Sequence, residues 1–208
     1  MKKAFSLVET LSVIAIIVSL VAMLSPAFAS VRRSANTGVC ISNLKQLGFS
    51  VMLYGADYDD ALPYGPGPIA KTLSTQGTEL DGDPYTDLMR SLPDARVLLT
   101  PYTASNAVWK CPLDQISPLL GEGRKPTWFQ ETGSSYGYDE FDALSGVSVS
   151  SVSDPSQRLL MKDEEAYHGS GIQGAFAGQL YNCLLFDSHV KTCPPAIERS
   201  YLSNDWWL

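Results

Sequence analysis

The chain has 208 residues and a formal net charge of −7 at neutral pH, from 15 Lys and Arg against 22 Asp and Glu. That acidic balance, with no long basic run, excludes a generic phosphate-tracking groove, so no nucleic-acid partner is expected. Setting aside the whole N-terminal helix, hydrophobic and amphipathic parts together, leaves about 150 residues, enough for one domain around a single core.

Phe5 to Leu24 is the apolar run FSLVETLSVIAIIVSLVAML, preceded by Lys2 and Lys3. At 1.5 Å per residue it makes a helix of roughly 30 Å, the thickness of a bilayer's hydrocarbon core. Lys2 and Lys3 before it and Arg32 and Arg33 after it give only a mild preference for a cytoplasmic N-terminus. Glu9 is the odd member, because a carboxylate in lipid costs several kcal/mol and is usually kept where it has a partner or a task. An ordinary signal peptide explains the basic start, the apolar run and the small-x-small stretch Ala27-Phe28-Ala29, with cleavage before Ser30. A plain single-pass anchor explains the length and leaves Glu9 as a penalty.

A third reading accounts for Glu9. Lys2-Lys3-Ala4-Phe5-Ser6-Leu7-Val8-Glu9 resembles the class III signal of type IV prepilins and pseudopilins: a short basic leader, a small residue, Phe, and Glu at the fifth position of the mature chain. The resemblance implies that a prepilin peptidase cuts between Ala4 and Phe5 and methylates the new Phe5 amine. Ala4 stands where the family usually has Gly. Inside a water-free helical bundle, the Glu9 carboxylate of one subunit can pair with the Phe5 amine of its neighbour and set the stagger. Removing one member of such a pair is expected to cost on the order of 3–5 kcal/mol.

Beyond Leu24, Pro26 predicts a kink. From Ala27 to Tyr58, Val31, Ala35, Val39, Leu44, Leu47, Val51 and Tyr54 recur mostly every three to five residues among Arg32, Arg33, Asn36, Asn43, Lys45 and Gln46. This predicts the amphipathic second half of one long helix, its apolar stripe packed on a sheet. Gly38 and Gly48 weaken its continuity, and Asp57 to Asp60 followed by Pro63 ends it. Tyr64 to Thr86, rich in Gly, Pro, Thr and Asp, reads as a long surface loop. Asp87 to Leu99 reads as one or two short helices broken at Pro93, and Cys111 as the residue after a short strand. Gln115 to Gly133 is irregular, with Trp128 and Phe129 covering the core. Ser135 to Phe141 and Arg158 to Lys162 read as strands, and Tyr181 to Cys193 as a hairpin.

Several head segments extend the resemblance to pseudopilin-like proteins: Cys40-Ile41-Ser42-Asn43-Leu44-Lys45-Gln46-Leu47-Gly48, Trp109-Lys110-Cys111-Pro112, Ser135-Tyr136-Gly137-Tyr138, Asp154-Pro155-Ser156, and Phe186-Asp187-Ser188-His189-Val190-Lys191. Many relatives carry Asp-Gly-His-Val in the last of these; here Ser188 replaces Gly, which weakens the case for a turn needing positive φ.

The four cysteines, Cys40, Cys111, Cys183 and Cys193, allow three connectivities for two disulfides in an oxidising compartment. With no C-x-x-C and only two histidines, zinc is disfavoured. The family resemblance implies a Cys40–Cys111 pair. Cys183 and Cys193 fall opposite each other if Asp187 to His189 forms a three-residue turn, and out of register with a two-residue turn.

Gly133-Ser134-Ser135-Tyr136-Gly137 matches G-x-S-x-G on paper, but the nucleophile elbow needs a strand before it and a helix after it, and the flanks read otherwise. His168 and His189 lack an evident catalytic setting, and His189 reads as a turn or sheet-surface residue. Asp139, Asp163 and Asp187, with Glu140, Asp142, Glu164 and Glu165, supply hard oxygens. The resemblance to major pseudopilins makes Asp139, Asp163 and Asp187 calcium candidates, although no EF-hand spacing is present and a solvated acidic face is the default. Trp206 and Trp207, with Tyr201, are either a docking patch for another subunit or a lid on the head.

The fold expected is α+β, a long N-terminal helix packed on a small antiparallel sheet: a leader at 1–4, a hydrophobic helix at 5–28, its amphipathic half at 29–60, and a head at 61–208. The function expected is that of a non-enzymatic pilin-like subunit of a type II secretion pseudopilus or type IV pilus, with no cofactor. Its partners would be other copies, related subunits, the prepilin peptidase and inner-membrane assembly machinery. It would be anchored in the inner membrane with a periplasmic head before entering a filament. The alternative is a secreted enzyme or binding domain released by cleavage after Ala29.

Overall fold

The computed structural model describes residues 7–76, 83–115, 117, 120, 125–139, 147–165, 167–168 and 180–193. Ala4, Phe5, Glu140, Asp142, Tyr201, Trp206 and Trp207 lie outside them. The chain divides into two compact units, Met1–Asn36 and Thr37–Leu208, and helix α1 (Leu7–Asp57) contributes to both. Its secondary structure runs unbroken through Pro26, Gly38 and Gly48.

In the first unit the described side chains from Leu7 to Ala35 are exposed. This stretch of α1 is long and apolar enough to cross a membrane. Its hydroxyls are satisfied locally: Ser12 Oγ donates to the Glu9 carbonyl at 2.9 Å, and Ser19 Oγ to those of Ala15 and Ile16. Back-bonding of this kind lets serine sit in an apolar helix without an orphaned polar group.

In the second unit the α1 periodicity becomes a buried stripe. Cys40, Leu44, Leu47, Val51 and Tyr54 join Leu62, Leu99, Trp109, Tyr136, Leu160, Met161 and Leu184 in one core. Gly48 belongs to this face because a Cβ there would lie 3.1 Å from both Leu184 methyl carbons, so the glycine lets helix and sheet approach closely. A Cβ at Gly38 would meet nothing. The helix ends at paired aromatic rings: Tyr54 stacks on Tyr58 at 4.3 Å and meets the edge of Tyr102. The Tyr102 hydroxyl donates to Asp57 Oδ2 at 2.8 Å, which pushes its pKa up to about 12.

The sheet is antiparallel in the order β1 (Tyr136–Tyr138), β2 (Leu159–Asp163), β3 (Tyr181–Leu185), β4 (Val190–Cys193). A long helix packed on a small antiparallel sheet is thus the α+β architecture expected. Alternation places Leu184 on the helix side and Cys183 and Leu185 on the other, where they cluster with Leu159 and Cys193.

Three local expectations are corrected. Tyr64 to Thr86 is not wholly loop: α2 (Pro68–Thr75) lies inside it, and α3 (Pro84–Ser91) begins in it. The prolines that suggested a loop occupy the first helical turn, where a missing N–H costs nothing. Asp83 caps α3 by accepting from Thr86 N, and Lys71 Nζ donates to the Met89, Arg90 and Leu92 carbonyls at the C-terminal end of α3. After the break at Pro93, α4 (Ala95–Leu99) begins with Asp94 as its cap. Cys111 follows a 3₁₀ turn (Asn106–Trp109) rather than a strand. Finally, α5 (Trp128–Thr132) interrupts the irregular segment and ends at Gly133, whose φ of 82° suits a glycine cap. Trp128 is buried, as expected of a core cover.

The cysteines divide into two pairs with different outcomes. Cys40 and Cys111 form a disulfide with Cα atoms 5.0 Å apart and a sequence separation of 71; closing so long a loop contributes about 4 kcal/mol in the chain-entropy account. Cys183 and Cys193 are both buried thiols. The hairpin does have a three-residue turn, but it is Phe186 to Ser188, one residue earlier than required: Leu185 N donates to the His189 carbonyl, and Ser188 takes φ 67°. Cys183 therefore faces Lys191 and Cys193 faces Tyr181. The two cysteines are diagonal neighbours, whose Cα atoms in a sheet lie roughly 7–8 Å apart, beyond the reach of a disulfide.

Candidate functional site

Two places concentrate chemistry that packing alone does not require. The first is the N-terminal half of α1. Glu9 lies in its first turn, where a carboxylate is favoured by the helix dipole. Around it Leu7, Val8 and Leu11 are 64–81% exposed. Glu9 is thus an acidic residue within an exposed apolar surface. Phe5, expected to supply its cationic partner, lies outside the described residues.

The second lies inside the head, where α1, β2, β3 and the loop after the 3₁₀ turn converge on His168. Its Nδ1 is 3.1 Å from Thr37 Oγ1 on α1, its Nε2 is 3.0 Å from Asp163 Oδ2 at the end of β2, and Nε2 is also 3.8 Å from Cys111 Sγ. Both sulfurs of the disulfide and a His168 ring nitrogen lie within 4.8 Å of one another. The His168 and Asp163 side chains are 1% and 0% exposed. Asp163 Oδ2 also accepts from Asn182 N at 2.6 Å, whereas its buried Oδ1 has no donor among the described residues. Burial pushes the Asp163 carboxyl above its ordinary range despite the opposing hydrogen bond and charge of His168. Burial and the nearby Asp163 carboxylate likewise raise the Tyr136 hydroxyl.

A neighbouring network explains Ser134 and Ser135. Asp114 accepts from Trp128 N, from Phe129 N at 2.8 Å and from Ser135 Oγ at 2.7 Å, so it caps α5 and anchors the start of β1. Ser135 Oγ in turn accepts from Cys111 N, and Ser134 Oγ donates to the Tyr136 carbonyl. Helix α5 precedes these serines and strand β1 follows, the reverse of a nucleophile elbow. Burial raises Asp114 and Glu165 as well.

The calcium candidates are not brought together into a cluster of metal-ligating groups among the described residues. Asp163 is committed to His168 and Asn182. Asp187 lies in the hairpin turn, where it accepts from His189 N and faces His189 Nδ1 at 2.7 Å. Asp139 follows β1 and pairs through its backbone with Leu160. His189, with a side chain 75% exposed, directly follows the turn, an exposed position of the turn or sheet-surface kind expected. The convergence of Cys40, Cys111, Asp163 and His168 escaped the sequence because its members are spread over more than a hundred residues in no motif spacing.

Comparison of the chain with protein-family models, curated proteins and solved structures returns no match.

Proposed function

We propose that this chain is a structural, pilin-like subunit, held by its N-terminal helix in the inner membrane with the head in the periplasm, and later packed by the same helix into a type II secretion pseudopilus or type IV pilus-like filament. The observation that carries the reading is a 51-residue helix whose N-terminal half is apolar, exposed and interrupted by one acid, Glu9. Lipid satisfies such a surface first, and the helices of other copies satisfy it afterwards, while Glu9 meets the Phe5 amine exposed when prepilin peptidase cuts after Ala4. The resemblance of residues 2–9 to prepilin signals supports the same account. The outward positions of the amphipathic half support it too: Val39, Phe49 and Leu53 are 46–59% exposed on a helix whose other face is fully engaged with the head.

Intact mass of the mature protein tests this reading. Loss of Met1 to Ala4 with one added methyl group is expected. A chain beginning at Ser30 overturns the filament and establishes an exported domain with an ordinary signal peptide. Glu9→Ala is expected to be processed normally and to fail in assembly, because the neighbour's amine is then buried unpaired; filaments at wild-type yield from that variant remove Glu9 from the mechanism.

A further inference from the structure

We propose that when the Cys40–Cys111 disulfide is reduced, Cys40 Sγ, Cys111 Sγ, His168 Nε2 and Asp163 Oδ2 form a tetrahedral site for a zinc-class divalent cation, so that the two sulfurs have alternative states, bonded to each other or bonded to a metal. The donor set suits this ion: two thiolates, one imidazole and one carboxylate. The spacing around His168 Nε2 suits it as well: the two sulfurs and a His168 ring nitrogen form one close group, and Asp163 stands outside that group, joined to it through His168, so that its Oδ2 closes on the sulfurs as the metal binds. Zinc–ligand bonds of about 2.0–2.3 Å put tetrahedral ligands roughly 3.3–3.8 Å apart. His168 Nε2 already lies 3.8 Å from Cys111 Sγ and 3.0 Å from Asp163 Oδ2. The sulfurs must separate to about 3.8 Å, which side-chain rotation reaches from backbones 5.0 Å apart at Cα.

The surroundings have the form of a supporting shell. Thr37 Oγ1 stands 3.1 Å from Nδ1, positioned to accept its proton and leave Nε2 bare for the metal. Asn182 N holds Asp163 Oδ2 at 2.6 Å. Asp163 Oδ1, buried and without a donor among the described residues, marks a carboxyl group whose acceptor capacity the oxidised protein leaves partly unused. A cation seated beside Nε2 and Oδ2 gives that carboxyl group a further partner.

The chemistry balances. A phosphine gives two electrons to the S–S bond and takes an oxygen atom from water, and the separated sulfurs take up two protons as thiols. Binding the cation then releases those protons as the thiols become thiolates. The inference concerns the head alone and stands or falls independently of filament assembly.

The test uses the full chain in detergent micelles, reduced anaerobically with a phosphine and titrated with Co²⁺ as a spectroscopic stand-in for Zn²⁺. One equivalent is expected to bind, with thiolate-to-cobalt charge transfer in the near ultraviolet, visible d–d bands of tetrahedral intensity, and displacement by Zn²⁺. The oxidised protein is expected to show none of these. His168→Ala and Asp163→Asn are each expected to weaken binding at least tenfold, and Thr37→Ala by about 10–100-fold through the supporting shell. Cys183→Ser combined with Cys193→Ser is expected to leave the spectrum unchanged. The absence of charge transfer in the reduced wild-type chain, weak octahedral bands, loss of the spectrum in the Cys183/Cys193 double variant, or wild-type affinity in His168→Ala with near-ultraviolet circular dichroism intact would each overturn the proposal.

Discussion

The two halves of α1 belong to one uninterrupted helix and end in opposite environments. Between residues 37 and 57, Cys40, Leu44, Leu47, Val51 and Tyr54 are no more than 7% exposed, while from Leu7 to Leu24 the large apolar side chains are 51–81% exposed. The difference lies in pattern rather than in apolar content. Polar residues interleaved at helical period give the C-terminal half one continuous apolar stripe, which the sheet and its flanking loops cover, with Val39, Phe49 and Leu53 left outside it. The N-terminal half is apolar on every side, and its described side chains are exposed. Such a helix is stabilised by what surrounds it, whereas the C-terminal half is stabilised by the fold.

The largest expected break in that comparison comes from truncating one large apolar side chain on each side of it. Trp109→Ala removes a fully buried ring packed in the α1 core and is expected to cost about 3–5 kcal/mol in chemical unfolding of the head. Ile16→Ala removes apolar surface of a similar kind, yet it is expected to leave head stability unchanged and to weaken membrane retention or assembly. A matching loss in head stability from Ile16→Ala would make the two halves a single energetic unit.

The two helical glycines sharpen the contrast at smaller magnitude. Gly48→Leu drives a side chain into the Leu184 methyls and is expected to destabilise by about 1–3 kcal/mol. Gly38→Ala, with open space around it, is expected to stabilise by up to about 1 kcal/mol, the propensity gain alone. Thermal unfolding of both variants against wild type measures the pair.

The pH dependence separates buried from exposed acids. Burial raises Asp114, Asp163 and Glu165 above their unfolded values, so the native state holds more protons than the unfolded state, and their contribution is lost as pH rises through the raised values. Asp187 behaves oppositely: partial burial raises it, but the His189 hydrogen bonds prevail and lower it, so its contribution is lost as pH falls through its lowered value. Asp94 is raised by burial in the same sense and Asp60 is lowered by its Ser150 hydrogen bonds, so the buried acids are expected to make Tm fall as pH rises through their raised values. Asp114→Asn is expected to flatten some of that slope; a slope unchanged in this variant would remove Asp114 from the account. Smallest is Ser188→Gly, which relieves a left-handed conformation at the hairpin turn and is expected to raise stability by about 1 kcal/mol on thermal unfolding.

Legibility in the sequence followed the range of the interactions. Leu44, Leu47, Val51 and Tyr54 declared their shared face because a helix repeats within four residues, and Tyr181 to Cys193 declared a hairpin because its strands are neighbours in sequence. Pro68 and Pro84 misled, since proline punctuates loops and also starts helices, and only the packing of α2 against α3 distinguishes the two. Ser188 concealed the turn, because a non-glycine residue rarely announces positive φ, and the shift of one residue decided whether Cys183 could reach Cys193.

By itself, the sequence determined the length and apolar character of the N-terminal helix, the point where its surface turns amphipathic, and the segments that become the strands of the sheet, all properties set by residues close along the chain. Tertiary structure alone decided that Cys40, Cys111, Asp163 and His168 share one buried volume, and that Gly48 rather than Gly38 is the close contact. Those facts depend on which distant segments lie against each other, and no local spacing encodes them.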